Sequence, residues 1–252
     1  MRELTLGRVL LYAIIAGLAA GLLVTVFHAI VTEPVIDQAI ALEEQAAADN
    51  PMPAANQHEE PIVSRAFQKS AGLLLGYALY GLTWALFYTL LFFPLQGWLA
   101  RFGPWRGALL LAALAWWAIV LVPFIRYPAN PPAVGDPATI GYRQNLYLTL
   151  LLLSAAGTAL AVWLGGRLAR QLRQPVWLIT CAGLLVVGAA LVVLMPPNPD
   201  PITAPADLIS AFRIRSWLGL TLFWTTFGAL FGWLARRSAR RAVSASTIAA
   251  RL

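Results

Sequence analysis

The sequence predicts an all-α fold, a polytopic membrane helix bundle of six transmembrane helices with both termini on the cytoplasmic side. Composition, six charge-free apolar segments of bilayer length, and the placement of the arginines each point there. Of 252 residues, 60% are apolar and 12% charged, with mean hydropathy +0.71. A soluble domain carries about 45–50% apolar and about 25% charged residues, so this chain has too little polar surface to cover a water-facing globule. Residues 1–252 read as a single transmembrane domain with an acidic outer loop over 31–70.

The six stretches run approximately over 10–30, 71–93, 107–124, 146–164, 176–194 and 217–234, and their cores hold no Asp, Glu, Lys or Arg. Each can cross roughly 30 Å of hydrocarbon at about 1.5 Å per residue. Pro34, Pro94, Pro123, Pro175 and Pro196 fall near their ends, where a missing backbone N–H costs least. With the N-terminus inside, 12 of the 18 basic residues lie on the cytoplasmic side, and ten of the 11 acids lie outside with Arg65, Lys69, Arg126, Arg143, Arg213 and Arg215. That asymmetry is the positive-inside pattern. It also accounts for a net charge of +7 without a nucleic-acid partner. A secretory signal is the competing reading of the first segment, but its apolar run exceeds the usual core of about 7–15 residues and no clean small-residue cleavage site follows.

Trp98, Trp105, Trp163, Trp177, Trp217 and Trp233 lie near span ends, where amphipathic rings anchor a helix at the headgroups. Gly17/Gly21, Gly72/Gly76 and Gly228/Gly232 are GxxxG pairs, so helices one, two and six are expected to pack closely.

The first outer segment begins Thr32-Glu33-Pro34, with Glu33 expected to cap a short helix that has Pro34 at its first position. The segment is expected to lie against the outer membrane face, with Ala46 to Ala55 a flexible connection. The connection from Arg126 to Pro137 carries four prolines, which fix extended and turn backbone and suggest a rigid cap. Pro196-Pro197-Asn198-Pro199-Asp200-Pro201 echoes it.

Few residues offer chemistry. The single cysteine, Cys181, excludes an intramolecular disulfide and any thiolate cluster. The one lysine, Lys69, follows Gln68, so no P-loop is present. There is no HExxH, GxSxG or paired-His pattern, hence no catalytic residue is assigned, and an intramembrane enzyme using Arg126, Asp136 and Arg143 lacks a nucleophile and base. His28, the one imidazole within a span, lies five residues before Glu33. On an unbroken helix their side chains would stand roughly 140° apart at about 100° per residue, whereas a break at Pro34 would let them converge. An ionisable residue inside a membrane span is a functional candidate by default; the alternative is a histidine bonded to a neighbouring helix. His58-Glu59-Glu60 carries ligand atoms that divalent metals accept, but a solvated charge run in an acidic loop is the favoured reading.

The stretch Glu60-Pro61-Ile62-Val63-Ser64-Arg65, continuing to Gln68 and Gly72, precedes Val122-Pro123-Phe124-Ile125-Arg126-Tyr127-Pro128-Ala129-Asn130-Pro131-Pro132-Ala133-Val134-Gly135-Asp136. Then come Ile140-Gly141-Tyr142-Arg143, Leu146-Tyr147-Leu148 and Phe212-Arg213. Together they resemble the CbtA family of predicted cobalt transporter subunits over most of the chain. The resemblance implies cobalt uptake linked to cobalamin supply, in the bacterial cytoplasmic membrane, with a small histidine-rich one-helix partner, CbtB. Matched positions are Glu33-Pro34, Ser64-Arg65, Arg126, Asn130, Asp136 and Arg143. Co²⁺ accepts imidazole, carboxylate and carbonyl ligands, so His28, Glu33, Asn130 and Asp136 are the expected metal contacts, with cobalt as transported substrate and no bound cofactor. The rival of a different class is a non-transporting membrane scaffold or assembly subunit.

Overall fold

The computed structural model describes residues 4–49, 63–132, 134–202 and 204–249, and no strand occurs among them. Among the described residues nine α-helices follow one another: α1 (Leu6–Phe27), α2 (Glu33–Asp49), α3 (Arg65–Phe67), α4 (Leu73–Leu99), α5 (Pro104–Trp116), α6 (Val122–Arg126), α7 (Ile140–Leu172), α8 (Val176–Leu194) and α9 (Ala206–Ala249). Among the same residues three five-residue π-helical segments join consecutive pieces: π1 (His28–Thr32), π2 (Gln68–Gly72) and π3 (Trp117–Leu121). The continuous rods so formed include six long and apolar enough to cross a membrane: Leu6–Gln45, Arg65–Phe102, Pro104–Arg126, Pro137–Leu172, Val176–Leu194 and Ala206–Arg241.

The helices overrun their expected ends. Glu33 does not cap a new helix; it is helical itself (φ −54°, ψ −39°), and the rod continues through it into α2. At about 1.5 Å per residue the 40-residue first rod is about twice as long as the hydrocarbon is thick, so the segment after span one begins as its prolongation instead of a strip lying on the membrane face. Ala46 to Asp49 belong to α2 as well, not to a flexible connection; residues 50–55 and His58-Glu59-Glu60 lie outside the described residues. Pro94 lies inside α4, not at its end.

Two of the π segments have a cause in the sequence. A proline within a helix loses its own bond and drives its ring against the carbonyl four residues back. For Pro34 and Pro123 those carbonyls belong to Ile30 and Ile119, inside π1 and π3. Widening that turn by one residue relieves the clash without ending the helix.

The chain divides into two compact units, one formed by the residues up to Ala113 with those from Leu218 onward, the other by Leu114–Trp217. In the first, α1 turns a stripe of Val9, Ala13, Ala16, Gly17, Ala20, Gly21 and Val24 inward against α4. Small residues let the two backbones approach, and a Cβ on Gly17 would meet the Gly81 carbonyl oxygen. On α4 it is Gly81 that makes this contact. Of the expected pair, Gly76 faces open space and Gly72 meets only Phe67 of its own rod. Gly228 and Gly232 pack on Ala112 and Ala108 of α5. Phe223, Phe227 and Phe231 fill the middle of this unit, stacked edge-on with Tyr80, Tyr88 and Phe92, and the buried Tyr88 hydroxyl donates to the Ala108 carbonyl at 2.8 Å.

In the second unit α7 and α8 pack through Gly157, Gly165 and Gly183, whose absent side chains make room for Val187, Thr180 and Ala161. Val122, Leu150 and Met195 form its buried cluster. Along α8 only Gly188 is buried, so nearly the whole helix offers Leu and Val side chains outward, as a lipid-facing span does. Trp163 and Trp233 are half exposed, and the guanidinium carbons of Arg167 and Arg237 sit 3.9 and 5.3 Å from their ring centres, the arrangement of an interfacial anchor.

Candidate functional site

In the first unit the polar residues gather where span one ends and span two begins. The Glu33 N–H bonds the His28 carbonyl, an i→i+5 bond that puts these residues about one turn apart. The π segment therefore brings His28 and Glu33 to neighbouring positions on one helix face, which an α-helix would separate and which was expected to require a break. Both are buried, 7% exposed each, in company with Thr32. The imidazole is fixed on every side. Nδ1 shares a 2.7 Å hydrogen bond with the Thr32 hydroxyl. The ring stacks on Tyr77 of α4 with centroids 5.2 Å apart and planes 9° apart. Nε2 abuts Gly219 of α9, where a Cβ would collide with it. Gly219→Ala is accordingly expected to push the imidazole off Tyr77 and Thr32, at a cost near the about 1–3 kcal/mol typical of overpacking, seen as a lowered unfolding midpoint of the detergent-purified protein.

Glu33 ion-pairs with Arg65. Arg65 also reaches Asp37 at 3.1 Å, and Lys69 reaches the other Asp37 oxygen at 2.7 Å. The i,i+4 carboxylates of the first rod thus face two cations of the second, a cluster neutral in sum. Ser64 starts the second rod by accepting the Phe67 N–H, which sets Arg65 in its first turn.

The second unit holds the proline-rich connections, and these are bonded to each other. Arg126 donates to the Met195 carbonyl, and the Tyr127 hydroxyl to the Pro196 carbonyl at 2.7 Å. Asp200, nearly buried, ion-pairs with Arg143 at 3.0 Å. It also accepts the Asp136 N–H at 3.0 Å and the Thr139 hydroxyl at 2.8 Å. Gly135 has φ +110°, and a Cβ there would strike Arg143 and Asp200, so only glycine fits that turn. Asp136 caps its own turn by accepting the Ala138 N–H at 2.8 Å. The Asn130 amide oxygen accepts from Arg213 at 2.8 Å.

Of the four expected metal contacts, His28 and Glu33 come together in the first unit, and Asn130 and Asp136 belong to the cap of the second. Among the described residues no group of three or more His, Cys, Asp or Glu side chains is close enough to hold a metal ion by itself. Sequence reasoning missed Arg65 and Lys69 as partners of Glu33 and Asp37, and missed Asp200 as the hub of the cap.

Six membrane-length helices, a buried His–Glu pair at a span end and a bonded proline-rich cap define a multi-pass membrane protein built around polar helix ends. Over residues 6–236 the chain matches the family described as probable cobalt transporter subunit (CbtA), and it belongs to that family. A transporter subunit is not an enzymatic role. Neither the curated proteins nor the solved structures contain a match to it.

Proposed function

We propose that this chain is a bacterial cytoplasmic-membrane subunit for cobalt uptake, with both termini inside and the His28–Glu33 end outside. The observation that carries this reading is the π segment, which sets a buried imidazole and a buried carboxylate side by side at the end of a span. Imidazole nitrogen with carboxylate oxygen is a donor set Co²⁺ accepts; Nδ1 must leave the Thr32 hydroxyl to bind, and two ligands without thiolate make a weak site suited to passage. Arg65 is the tethered cation that neutralises Glu33 between passages, and an arriving dication takes its place. Asn130 and Asp136 are proposed as further metal contacts within the second unit, where Asn130 must first release Arg213 and Asp136 the Ala138 N–H. An inside-negative potential supplies roughly 2.3 kcal/mol per charge per 100 mV, enough to draw a dication inward without a nucleotide site. A small histidine-rich one-helix partner would concentrate metal for a chain that has only two histidines.

The test is cellular cobalt by elemental analysis, in a host lacking other cobalt importers, at low external metal. Expression of the protein is expected to raise cobalt content several-fold, and His28→Ala/Glu33→Ala to abolish the rise while inserting normally. Equal accumulation by the double variant would sink this site, and no rise with the one-helix partner also present would sink uptake by this chain.

A further inference from the structure

We propose that the cap of the second unit binds one oxyanion group, phosphate or carboxylate in type, in a cavity of about 250 Å³ lined by Tyr127, Asn130, Arg143, Tyr147 and Asn198 among others. Several polar atoms around that cavity are already engaged, which fixes what the rest can bind. Asn130 has its amide oxygen engaged by Arg213, and Asn198 has its amide oxygen engaged by the Asp200 N–H at 3.2 Å. Each therefore keeps its amide nitrogen as a donor. Arg143 spends Nε on Thr139 and Asp200 and Nη2 on the Asp136 carbonyl, leaving Nη1 as its donor, and a phenol such as Tyr147 donates readily to an anion. The walls are rich in N–H and O–H groups, and their strongest acceptors are taken.

Charge points the same way. Three guanidiniums converge on the cap, and Asp200 pairs with one of them, Arg143. Arg126 and Arg213 have no carboxylate partner among the described residues; they donate to the Met195 carbonyl and to Asn130. The Nε atoms of both are buried without a hydrogen-bond partner. Asp136 is exposed and spends one carboxylate oxygen on the Ala138 N–H. Neither Arg126 nor Arg213 lines the cavity, so they act on an oxyanion there through the local positive field, and the charge-assisted bond comes from Arg143 in its wall. The inference stands apart from the metal reading, because an oxyanion uses the nitrogen of Asn130 where a metal would use its oxygen.

The experiment uses the full chain in phosphatidylcholine nanodiscs, with the thermal unfolding midpoint followed at constant ionic strength set by chloride. Inorganic phosphate and acetate are the free-anion arms, and discs containing phosphatidylglycerol are the headgroup arm. At least one arm is expected to raise the midpoint as a ligand binding only the folded state does, and which arm responds identifies the source. Asn130→Asp keeps an oxygen for Arg213 while replacing the donor nitrogen with a second anionic oxygen. It is expected to fold and to weaken the response about tenfold or more. Tyr147→Phe, which removes one donor and nothing else, is expected to weaken it less. A midpoint unmoved in every arm, or an undiminished response in both variants, overturns the proposal. Cobalt accumulation is measured separately, so failure here leaves the uptake reading standing.

Discussion

Gly17→Leu is expected to abolish assembly of the first unit. The atom a Cβ on Gly17 would strike is the backbone carbonyl oxygen of Gly81, and a Cβ on Gly81 would strike the Gly17 carbonyl in return. One turn further on, a Cβ on Gly21 would lie 2.5 Å from the Tyr77 carbonyl oxygen. Overpacking costs about 1–3 kcal/mol where flexible side chains can give way. Here the obstacle is backbone, and relief requires α1 and α4 to separate along their contact. The separation also takes Tyr77 off the His28 ring. The measurement is yield of monodisperse protein by size exclusion after detergent extraction, expected to fall at least several-fold for Gly17→Leu. Gly76→Leu is the control, since nothing lies within 4 Å of a Cβ there. Equal yields for the two variants would remove the glycine contact as an organising feature.

The class of fold was legible because bilayer chemistry leaves few solutions: an apolar run with no charge must be a helix that satisfies its own backbone. Helix ends were less legible for the same reason, since a proline marks a disturbed turn without saying whether the helix stops there or widens. At Pro34 and Pro123 it widens, and only the structure distinguishes the outcomes. A GxxxG pair shows that a backbone can be approached but not from which side, which is why Gly17/Gly21 and Gly228/Gly232 make contacts and Gly72/Gly76 does not. His28 and Glu33 stood out as ionisable groups at a span end. Their partners did not, because Arg65 lies 32 residues beyond Glu33 with no spacing rule to join them. Asp200 was hidden more completely, as one carboxylate in a proline-rich loop whose partners lie more than 55 residues earlier in the chain.

The Glu33–Arg65 pair yields the second large effect. The Glu33 side chain is 9% exposed and that of Arg65 30%, so truncating the arginine leaves a carboxylate buried without its countercharge, while Asp37 keeps Lys69. Breaking a fully buried pair costs roughly 3–5 kcal/mol. Arg65→Ala is expected to cost about 2–3 kcal/mol, less than that range because the guanidinium is partly in water. Arg65→Ala/Glu33→Gln removes the stranded charge and is expected to recover most of the loss, so the two substitutions are strongly non-additive. If the double variant is no more stable than Arg65→Ala alone, the pair has no such coupling. The same variants bear on transport, because Glu33 without Arg65 still needs a cation. Added Co²⁺ is expected to raise the unfolding midpoint of Arg65→Ala more than that of the unaltered protein, and to leave Arg65→Ala/Glu33→Gln unchanged. A cobalt response that is the same in all three proteins would place the metal somewhere other than Glu33.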